Sequence, residues 1–463
     1  MRSIEEAPEK QKKDKQKEDP QNAERNHAAR IRVGIVGYGT VGRATAEILS
    51  SHAEEIRQRM GGIEIVVTRI ARRKPTSAEV GVNGVAVVSD WREVVNADDV
   101  DIVVEAIGGT TTAQDVIKTS LENGKAVVTA NKALIALHGD ELFALAQEKN
   151  LPIGIEATVA GGVPVIRAIS EALAADHIQA VYGIVNGTCN YILTQMEQHG
   201  IEFAHALEQA QASGYAEADS SLDIDGLDAR DKIAILARIA FGHAVRVGEI
   251  PVMGIRNITA TDFHYAHRLN STIRLVASAE RAPEGIHIAV QPWLEPRDSM
   301  LAKAAGANNA VFIAGEKVGT QMLYGRGAGG GATGTAVLSD VLQIARQLAR
   351  GQTSSSLFAG FNHAAPVRPL SRPRPISWFL RLTVNDQPGI LARTAEAIAC
   401  EGINIDSVVQ EPNMPKNRLS FVITLEPTLE TTVQRAIEAI NRFEFMKAPV
   451  LLMPMISPVE EHI

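Results

Sequence analysis

Residues 31–51 read IRVGIVGYGTVGRATAEILSS, and the first domain is decided there. The run 31–36 is short and apolar, the pattern of a buried strand, and RATAEIL (43–49) repeats its apolar positions at helical spacing. Between them stands Gly37-x-Gly39-x-x-Gly42. Three glycines alone are a weak signal and are also met in merely structural turns. Set between a strand and a helix near the start of a domain, they acquire a meaning. Gly37 permits the tight turn, Gly39 lets the backbone approach a pyrophosphate, and Gly42 lets helix pack on strand. The helix that opens at Thr40 and Val41 offers free N–H groups to phosphates. The expectation is a Rossmann-type dinucleotide-binding domain of the α/β class.

Working outward, the second strand, IEIVVTRIA (63–71), runs into Arg72-Arg73-Lys74. A site that prefers NAD(H) usually ends this strand in an acid that bonds the ribose 2′-hydroxyl. Cations there attract a 2′-phosphate instead, which favours NADP(H) and leaves NAD(H) possible; the alternative is a solvated basic loop. Strands at DIVVEAIGG (101–109) and KAVVTANKALIA (125–136) flank a helical stretch over 114–123. Alternating strand and helix implies a parallel, doubly wound sheet. Gly108-Gly109-Thr110 and Ala130-Asn131-Lys132 both fall at carboxyl ends of strands, where such sheets collect their ligands. Thr110 and Lys132 are therefore expected in the cofactor crevice.

The bulk numbers set limits. A chain of 463 residues is too long for one core, and two or three domains are expected. A net charge of −8 without a dense basic stripe gives no reason to expect nucleic acid as partner. Cys189 and Cys400 stand alone and far apart, which argues against a disulfide framework and for a reducing compartment. No apolar run reaches the ~18 residues of a membrane span. Residues 1–30 mix acids and bases with almost nothing to bury and read as a disordered tail. They fit neither a secretory signal nor a transit peptide, so the cytoplasm is expected.

The densest chemistry lies in GYAEADSSLDIDGLDARDKIAILA (214–237). Six carboxylates, Glu217, Asp219, Asp223, Asp225, Asp228 and Asp231, precede an apolar helical run, and Lys232 stands at the border. Asp225 is expected to cap that helix with Asp228 at its third position, as in a capping box, and Gly242 to close it. Asp228 and Lys232 are four apart and share one helix face. A calcium loop fails, because placing Asp223, Asp225 and Gly226 at loop positions three, five and six puts Lys232 where a bidentate glutamate is required. A salt-bridged surface helix conflicts with the apolar run that follows.

GIVGYGTVG (34–42), TANKALIA (129–136), EATVAGGVPVI (156–166), VNGTCNYIL (185–193), the acidic segment and GRGAGGGATGTAVLSD (325–340) together resemble the homoserine dehydrogenase family, in the form with a C-terminal ACT domain. The resemblance covers about 31–347 and keeps the family's order. It implies a Rossmann domain over 31–155 completed by about 316–350, and an α+β catalytic and dimerisation domain over 156–315. The implied reaction interconverts L-homoserine and L-aspartate 4-semialdehyde. The resemblance makes Lys232 the proton donor in the reduction and Lys132 the second lysine, near the reacting oxygen and the nicotinamide. Glu217, Asp228 and Asp223 become substrate carboxylates, and Gly329 joins the cofactor-binding residues. A sodium ion would be held at Glu156, Val159, Gly161 and Val163, largely by main-chain carbonyls. A homodimer or homotetramer is implied as well.

The chemistry agrees with these assignments. Homoserine carries an ammonium group, which calls for carboxylates in a buried site. Hydride transfer needs a group that moves the hydroxyl proton, and a lysine of lowered pKa can do so. Two departures stand out: Ala218-Asp219-Ser220-Ser221 replaces the family's Ala-Asp-Pro-Thr, and Gly330-Gly331-Ala332-Thr333-Gly334 replaces its Gly-Gly-x-Pro-Thr-Ala. Both lose a proline from a loop and neither removes a proposed catalytic group. Aspartate-semialdehyde dehydrogenase is a rival reading, but it needs a thiolate, and Cys189 has no neighbouring histidine to activate it. A non-catalytic amino-acid sensor is the other, against which stand the intact lysines and carboxylates.

Residues 351–377 are rich in serine and proline and read as a linker, so few contacts are expected to cross it and a chain cut after about residue 351 is expected to fold. Beyond it, 378–463 reads βαββαβ. With the turn Asn385-Asp386-Gln387-Pro388-Gly389, that order resembles a ferredoxin-like ACT domain. Such modules commonly bind amino acids between paired copies, which makes Asp386 and Gly389 candidate contacts for a threonine effector; dimerisation without a ligand is the alternative. NMPKN (413–417) is expected as an exposed hairpin.

Overall fold

The computed structural model describes residues 29–73, 84–352, 367–372, 374–412 and 414–455. The charged tail (save 29 and 30), Lys74, much of the segment read as linker, and Asn413 lie outside these residues.

The amino-terminal part alternates as the sequence pattern requires. Its elements are β1 (Arg30–Val36), α1 (Thr40–Ser51), β2 (Glu64–Ala71), β3 (Ala86–Val88), β4 (Ile102–Glu105), α2 (Thr111–Glu122), β5 (Ala126–Thr129), α3 (Lys132–Lys149) and β6 (Ile153–Gly154). The six strands form one sheet in the order β3-β2-β1-β4-β5-β6, every neighbouring pair parallel. The strand order reverses between β1 and β4, which opens a crevice beyond their carboxyl ends. Gly37 makes the turn into that crevice with φ +103°, and a Cβ there would sit 2.4 Å from the Ala106 oxygen. A Cβ on Gly42 would sit 2.0 Å from the Gly37 oxygen, so helix and turn approach closely only through glycine.

The chain then builds a second sheet. It comprises β7 (Ile178–Ile184), α4 (Gly187–His199), α5 (Leu227–Phe241), β8 (Ser271–Ala282), β9 (Gly285–Pro296), β10 (Asn308–Gly315) and β11 (Gly319–Arg326). The expected return to the first domain over 316–350 is narrower than read. β11 pairs with β10 in the second sheet, and only α6 (Gly330–Ala349) returns, laying Gly334 against the Ala44 and Thr45 backbone of α1.

In α5, 11 of 15 residues are buried, as its apolar run implies. It opens differently from the expected capping box. Gly226 is the N-cap, with φ +81° and no side-chain cap, while Asp225 pairs with Arg256. The left-handed glycine turns the chain, so Asp225 points away from the helix and Asp228 is left free for other partners. Gly242 closes α5 with φ +75°, as expected.

The carboxyl-terminal part contains β12 (Pro369–Leu370), β13 (Ile376–Val384), α7 (Ile390–Cys400), β14 (Ile405–Gln410), β15 (Leu419–Thr428), α8 (Glu430–Asn441) and β16 (Met446–Met455). From β13 onward this is the βαββαβ order, with strands arranged fourth-first-third-second. The 414–418 turn between β14 and β15 is largely exposed, as expected for a hairpin end. This unit is not set apart by a contact-free linker. The second sheet runs β11-β10-β7-β8-β9-β16-β13-β15-β14, with β12 added on β9. Arg372, within the expected linker, is buried and pairs with buried Glu280 of β8, and Arg374 reaches the same carboxylate at 3.3 Å. Arg381 of β13 meets buried Asp262 at 2.8 Å. Phe379, Leu451 and Met453 lie in the same apolar cluster as α5. Each large apolar side chain buried there contributes roughly 1.5–3 kcal/mol. Serine and proline content signalled a boundary, but these long-range partners leave no local trace.

A cut after residue 351 would strip Glu280 of both arginines and uncover this cluster, so the expectation that such a fragment folds is withdrawn. Burial pushes the Glu280 carboxyl up, and the arginines outweigh it and hold it below the usual carboxylate range. Replacing Arg372 and Arg374 together with alanine in the full chain should lower unfolding free energy by about 3–5 kcal/mol, the cost of leaving buried Glu280 without its arginines. Denaturant unfolding checks this, and a loss under about 1 kcal/mol would make the pair incidental.

Candidate active site

Two cavities meet at the strand-order reversal, and Gly108 borders both. The first, about 660 Å³, lies over the glycine turn and is bordered by Gly37, Gly39, Arg72 and Arg73. The structure thus joins the glycine motif to the arginines that end β2. No side chain caps α1 at Gly39, so the helix presents its leading N–H groups bare. Thr40 and Gly42 stand behind this turn, and Gly330, next to Gly329, abuts Thr40. Thr110 sits at the N-cap of α2, but Thr112, two residues on, is the threonine that borders the cavity.

The second cavity, about 480 Å³, has Val41 and Lys132 on the side of the first domain. Facing them are Glu217, Asp219, Asp223, Asp228 and Asp231, so five of the six carboxylates border it. Asp228 is its fixed point. One carboxylate oxygen receives Lys132 Nζ at 3.0 Å, and the other receives Lys232 Nζ at 2.7 Å and Asn186 Nδ2 at 2.8 Å. Lys232 Nζ also donates to the Val185 carbonyl at 2.7 Å. Burial pushes the Asp228 carboxyl up, and the two ammonium groups more than reverse this, holding it well below the usual carboxylate range.

Asp228 raises the Lys132 ammonium above its ordinary value against the opposing effect of burial. Lys132 is thus an ammonium at neutral pH. Burial raises the Asp223 carboxyl, which accepts from Asn186 Nδ2 at 2.7 Å. Glu217 is exposed at the cavity mouth.

Local structure explains how each group is aimed. Asn131 caps α3 by accepting the Leu134 N–H at 3.1 Å, which places Lys132 at the first helical position. Fully buried Glu105 accepts the Thr129 hydroxyl at 2.5 Å and the Ile107 N–H at 2.9 Å, tying together the two strand ends that border the cavity. Asn186 caps α4 through the Cys189 N–H at 2.8 Å. Its amide then faces Asp223 and Asp228. In the sequence this asparagine stood only within VNGTCNYIL; its signal was a cap residue before Gly187-Thr188, and its carboxylate partners are distant in the chain. Cys189 is fully buried, its thiol donates to the Asp223 carbonyl, and burial pushes it well above the usual thiol range. That disposes of the thiolate-dependent rival.

The loop 156–163, where a cation on main-chain oxygens was expected, has an irregular backbone. Ala160 and Gly161 both have positive φ (+55° and +53°), and Ala160 holds that conformation without glycine's freedom. Glu156 turns its carboxylate onto the N–H groups of Ile166 (3.0 Å) and Arg167 (2.8 Å), which leaves its carbonyl as the donor it can offer. Asp340 of α6 accepts the Glu156 N–H at 2.8 Å, and burial pushes that carboxyl up to about 7. Among the described residues no group of three or more His, Cys, Asp or Glu side chains is arranged to hold a metal.

Residues 37–156 match the family model described as the NAD binding domain of homoserine dehydrogenase, and residues 164–342 match the one described as homoserine dehydrogenase. The homoserine dehydrogenase of Pseudomonas aeruginosa is 38% identical over 413 residues, covering 88% of this chain and 94% of the relative. That of Neisseria gonorrhoeae is 36% identical over 416 residues, covering 89% and 95%. Among solved structures, a homoserine dehydrogenase from Thiobacillus denitrificans superposes with TM-score 0.86 at 37% identity, covering 93% of this chain and 99% of that one. A hyperthermophilic archaeal homoserine dehydrogenase in complex with NADPH gives TM-score 0.59 at 30% identity, covering 68% of this chain and 97% of that one.

Proposed function

The chain belongs to the homoserine dehydrogenase family and is an NAD(P)-dependent oxidoreductase that interconverts L-homoserine and L-aspartate 4-semialdehyde, a step of amino-acid biosynthesis; from that premise we propose roles for its residues. The observation that carries them is the convergence of Lys132 and Lys232 on one buried carboxylate at the edge of the cofactor crevice.

When bound, the nicotinamide supplies the hydride in the reduction and takes it back in the oxidation. Lys232 gives the proton to the substrate oxygen in the reduction and recovers it in the reverse direction. Lys132, the lysine that borders the cavity, lends its charge to that oxygen. Asp228 keeps both ammonium groups in register. Glu217 and Asp223 take the substrate ammonium, because Asp228 already serves two lysines and Asn186. A sodium ion at the carbonyls of Glu156, Val159, Gly161 and Val163 would brace the loop that α6 clamps through Asp340.

NADP(H) is the preferred cofactor in this reading, because Arg72 and Arg73 border the nucleotide cavity. The βαββαβ unit is an ACT domain that senses threonine through the Asp386 and Gly389 turn. Gly389 holds φ +89° there, and the Asp386 N–H donates to the Lys416 carbonyl at 2.7 Å. The second sheet ends in two edge strands, β11 and β14, which support assembly to a homodimer or homotetramer. Both cysteines are free, which suits the cytoplasm.

Lys232→Ala should reduce kcat by ~100- to 10,000-fold, the usual contribution of a general acid or base. Cofactor affinity should persist. A loss below about tenfold in folded protein would remove Lys232 from the proton's path. Reversing charge at Arg72 and Arg73 to glutamate should raise KM for NADP far more than for NAD, and equal changes would end the argument from β2. Threonine should alter the initial rate of the full chain by an amount corresponding to ~1–3 kcal/mol of coupling. Asp386→Ala should abolish that response; an unaltered threonine curve in this variant, or no response in the parent, would refute the sensor.

A further inference from the structure

One wall of the nucleotide cavity is not explained by the glycine turn or by the arginines. Ser89 and Trp91 border the cavity together with Arg72 and Arg73. The strand register accounts for the neighbourhood. β3 pairs with β2 so that Val88 lies opposite Ala71, and the Arg72 N–H donates to the Val88 carbonyl at 3.0 Å. The chain leaving β3 toward Trp91 therefore runs beside the chain leaving β2 as Arg72 and Arg73.

The Trp91 indole is half-buried, and the Arg92 guanidinium lies over it, 4.5 Å from the ring centroid. The ring also packs against the apolar cluster that includes Val36, Ala71 and Val94, and the part of it that borders the cavity is what it offers a ligand. An indole beside two guanidinium groups suits a flat, uncharged heteroaromatic base joined to a phosphate-bearing sugar. Stacking uses the base's π-face, and the phosphate goes to the arginines.

We propose that Trp91 binds the base of the dinucleotide, stacking on its adenine while Arg72 and Arg73 take the ribose 2′-phosphate. This deepens, and rests on, the nucleotide reading of the cavity. It separates two contributions to cofactor affinity. The arginines distinguish NADP from NAD. Trp91 contributes equally to both, because the adenine is common to them. A Trp91 that only packs against β1 and β4 would show neither ligand-linked fluorescence nor a base-specific loss.

The chain offers its own probe. It has three tryptophans, and Trp293 and Trp378 are each 0% exposed in the core of the second sheet. Full-length protein is titrated with oxidised NADP, with adenosine 2′,5′-bisphosphate and with nicotinamide mononucleotide, following tryptophan emission and calorimetric heat in parallel. The first two should change the emission and the mononucleotide should not. Trp91→Ala should lose the signal and bind the first two roughly 5- to 150-fold more weakly, the range that base–aromatic stacking supports. NAD should weaken by the same factor, and Trp91→Phe should restore most of the affinity. If the alanine variant fails to fold, Trp91→Leu keeps bulk without a ring and should show the same loss. Calorimetric binding of NADP with unchanged emission, or unchanged affinity in the alanine or leucine variant, overturns the role of Trp91. Absence of any calorimetric binding of NADP to the parent protein overturns instead the nucleotide reading beneath it.

Discussion

The active site depends on one buried carboxylate. Asp228 is only 7% exposed, and an unpaired charge at that depth would be strongly unfavourable. Its partners come from three separate places: Lys132 from the start of α3, Lys232 from α5 itself, and Asn186 from the N-cap of α4. Satisfying Asp228 therefore brings the nucleotide domain and the catalytic sheet into one arrangement. Buried ion pairs are weak evidence for stability, since desolvation offsets much of their attraction. Their effect here is geometric, because Lys132 and Lys232 are both held on one carboxylate beside the crevice.

Glu105 performs a related task on the other side of the crevice. It is fully buried, and burial raises its carboxyl. Through Thr129 and Ile107 it joins the ends of β4 and β5, and Asn131 at the end of β5 donates to the Gly109 carbonyl at 2.6 Å. The loops that carry Gly108 and Lys132 are thus tied to each other. Asp228 fixes the lysines with respect to each other, and Glu105 fixes one of them with respect to the cofactor turn.

What the sequence made legible follows from how local each signal is. The glycine turn, the parallel alternation and the pairing of Asp228 with Lys232 at four residues' spacing are all contained in short windows. Lys132 was placed at a strand end correctly, but its partner lies in another domain and its raised pKa could not be read from a loop lysine. Asn186 was missed as a carboxylate ligand for the same reason. The capping box failed because a glycine in the left-handed region competes with an aspartate for the N-cap, and Arg256 takes that aspartate away. Low-complexity composition gave the linker, yet Arg372 inside it finds Glu280 in the core.

That last contact changes how the tail has to be understood. The carboxyl-terminal unit is built into the second sheet and not hung from it. Here the module occupies the edge of β9, with Met455 opposite Leu294, and its arginines neutralise Glu280. The sheet then runs without interruption from β13 through β16, β9 and β8 to β7. At the end of β7 the Val185 carbonyl holds Lys232 Nζ, and Arg374 reaches Tyr182 of the same strand at 3.2 Å. The proposed effector turn and the proposed proton donor thus lie on one sheet, joined between β16 and β9 at the single pair Met455–Leu294. Continuity alone transmits nothing; the sheet must have two arrangements that a ligand binds unequally.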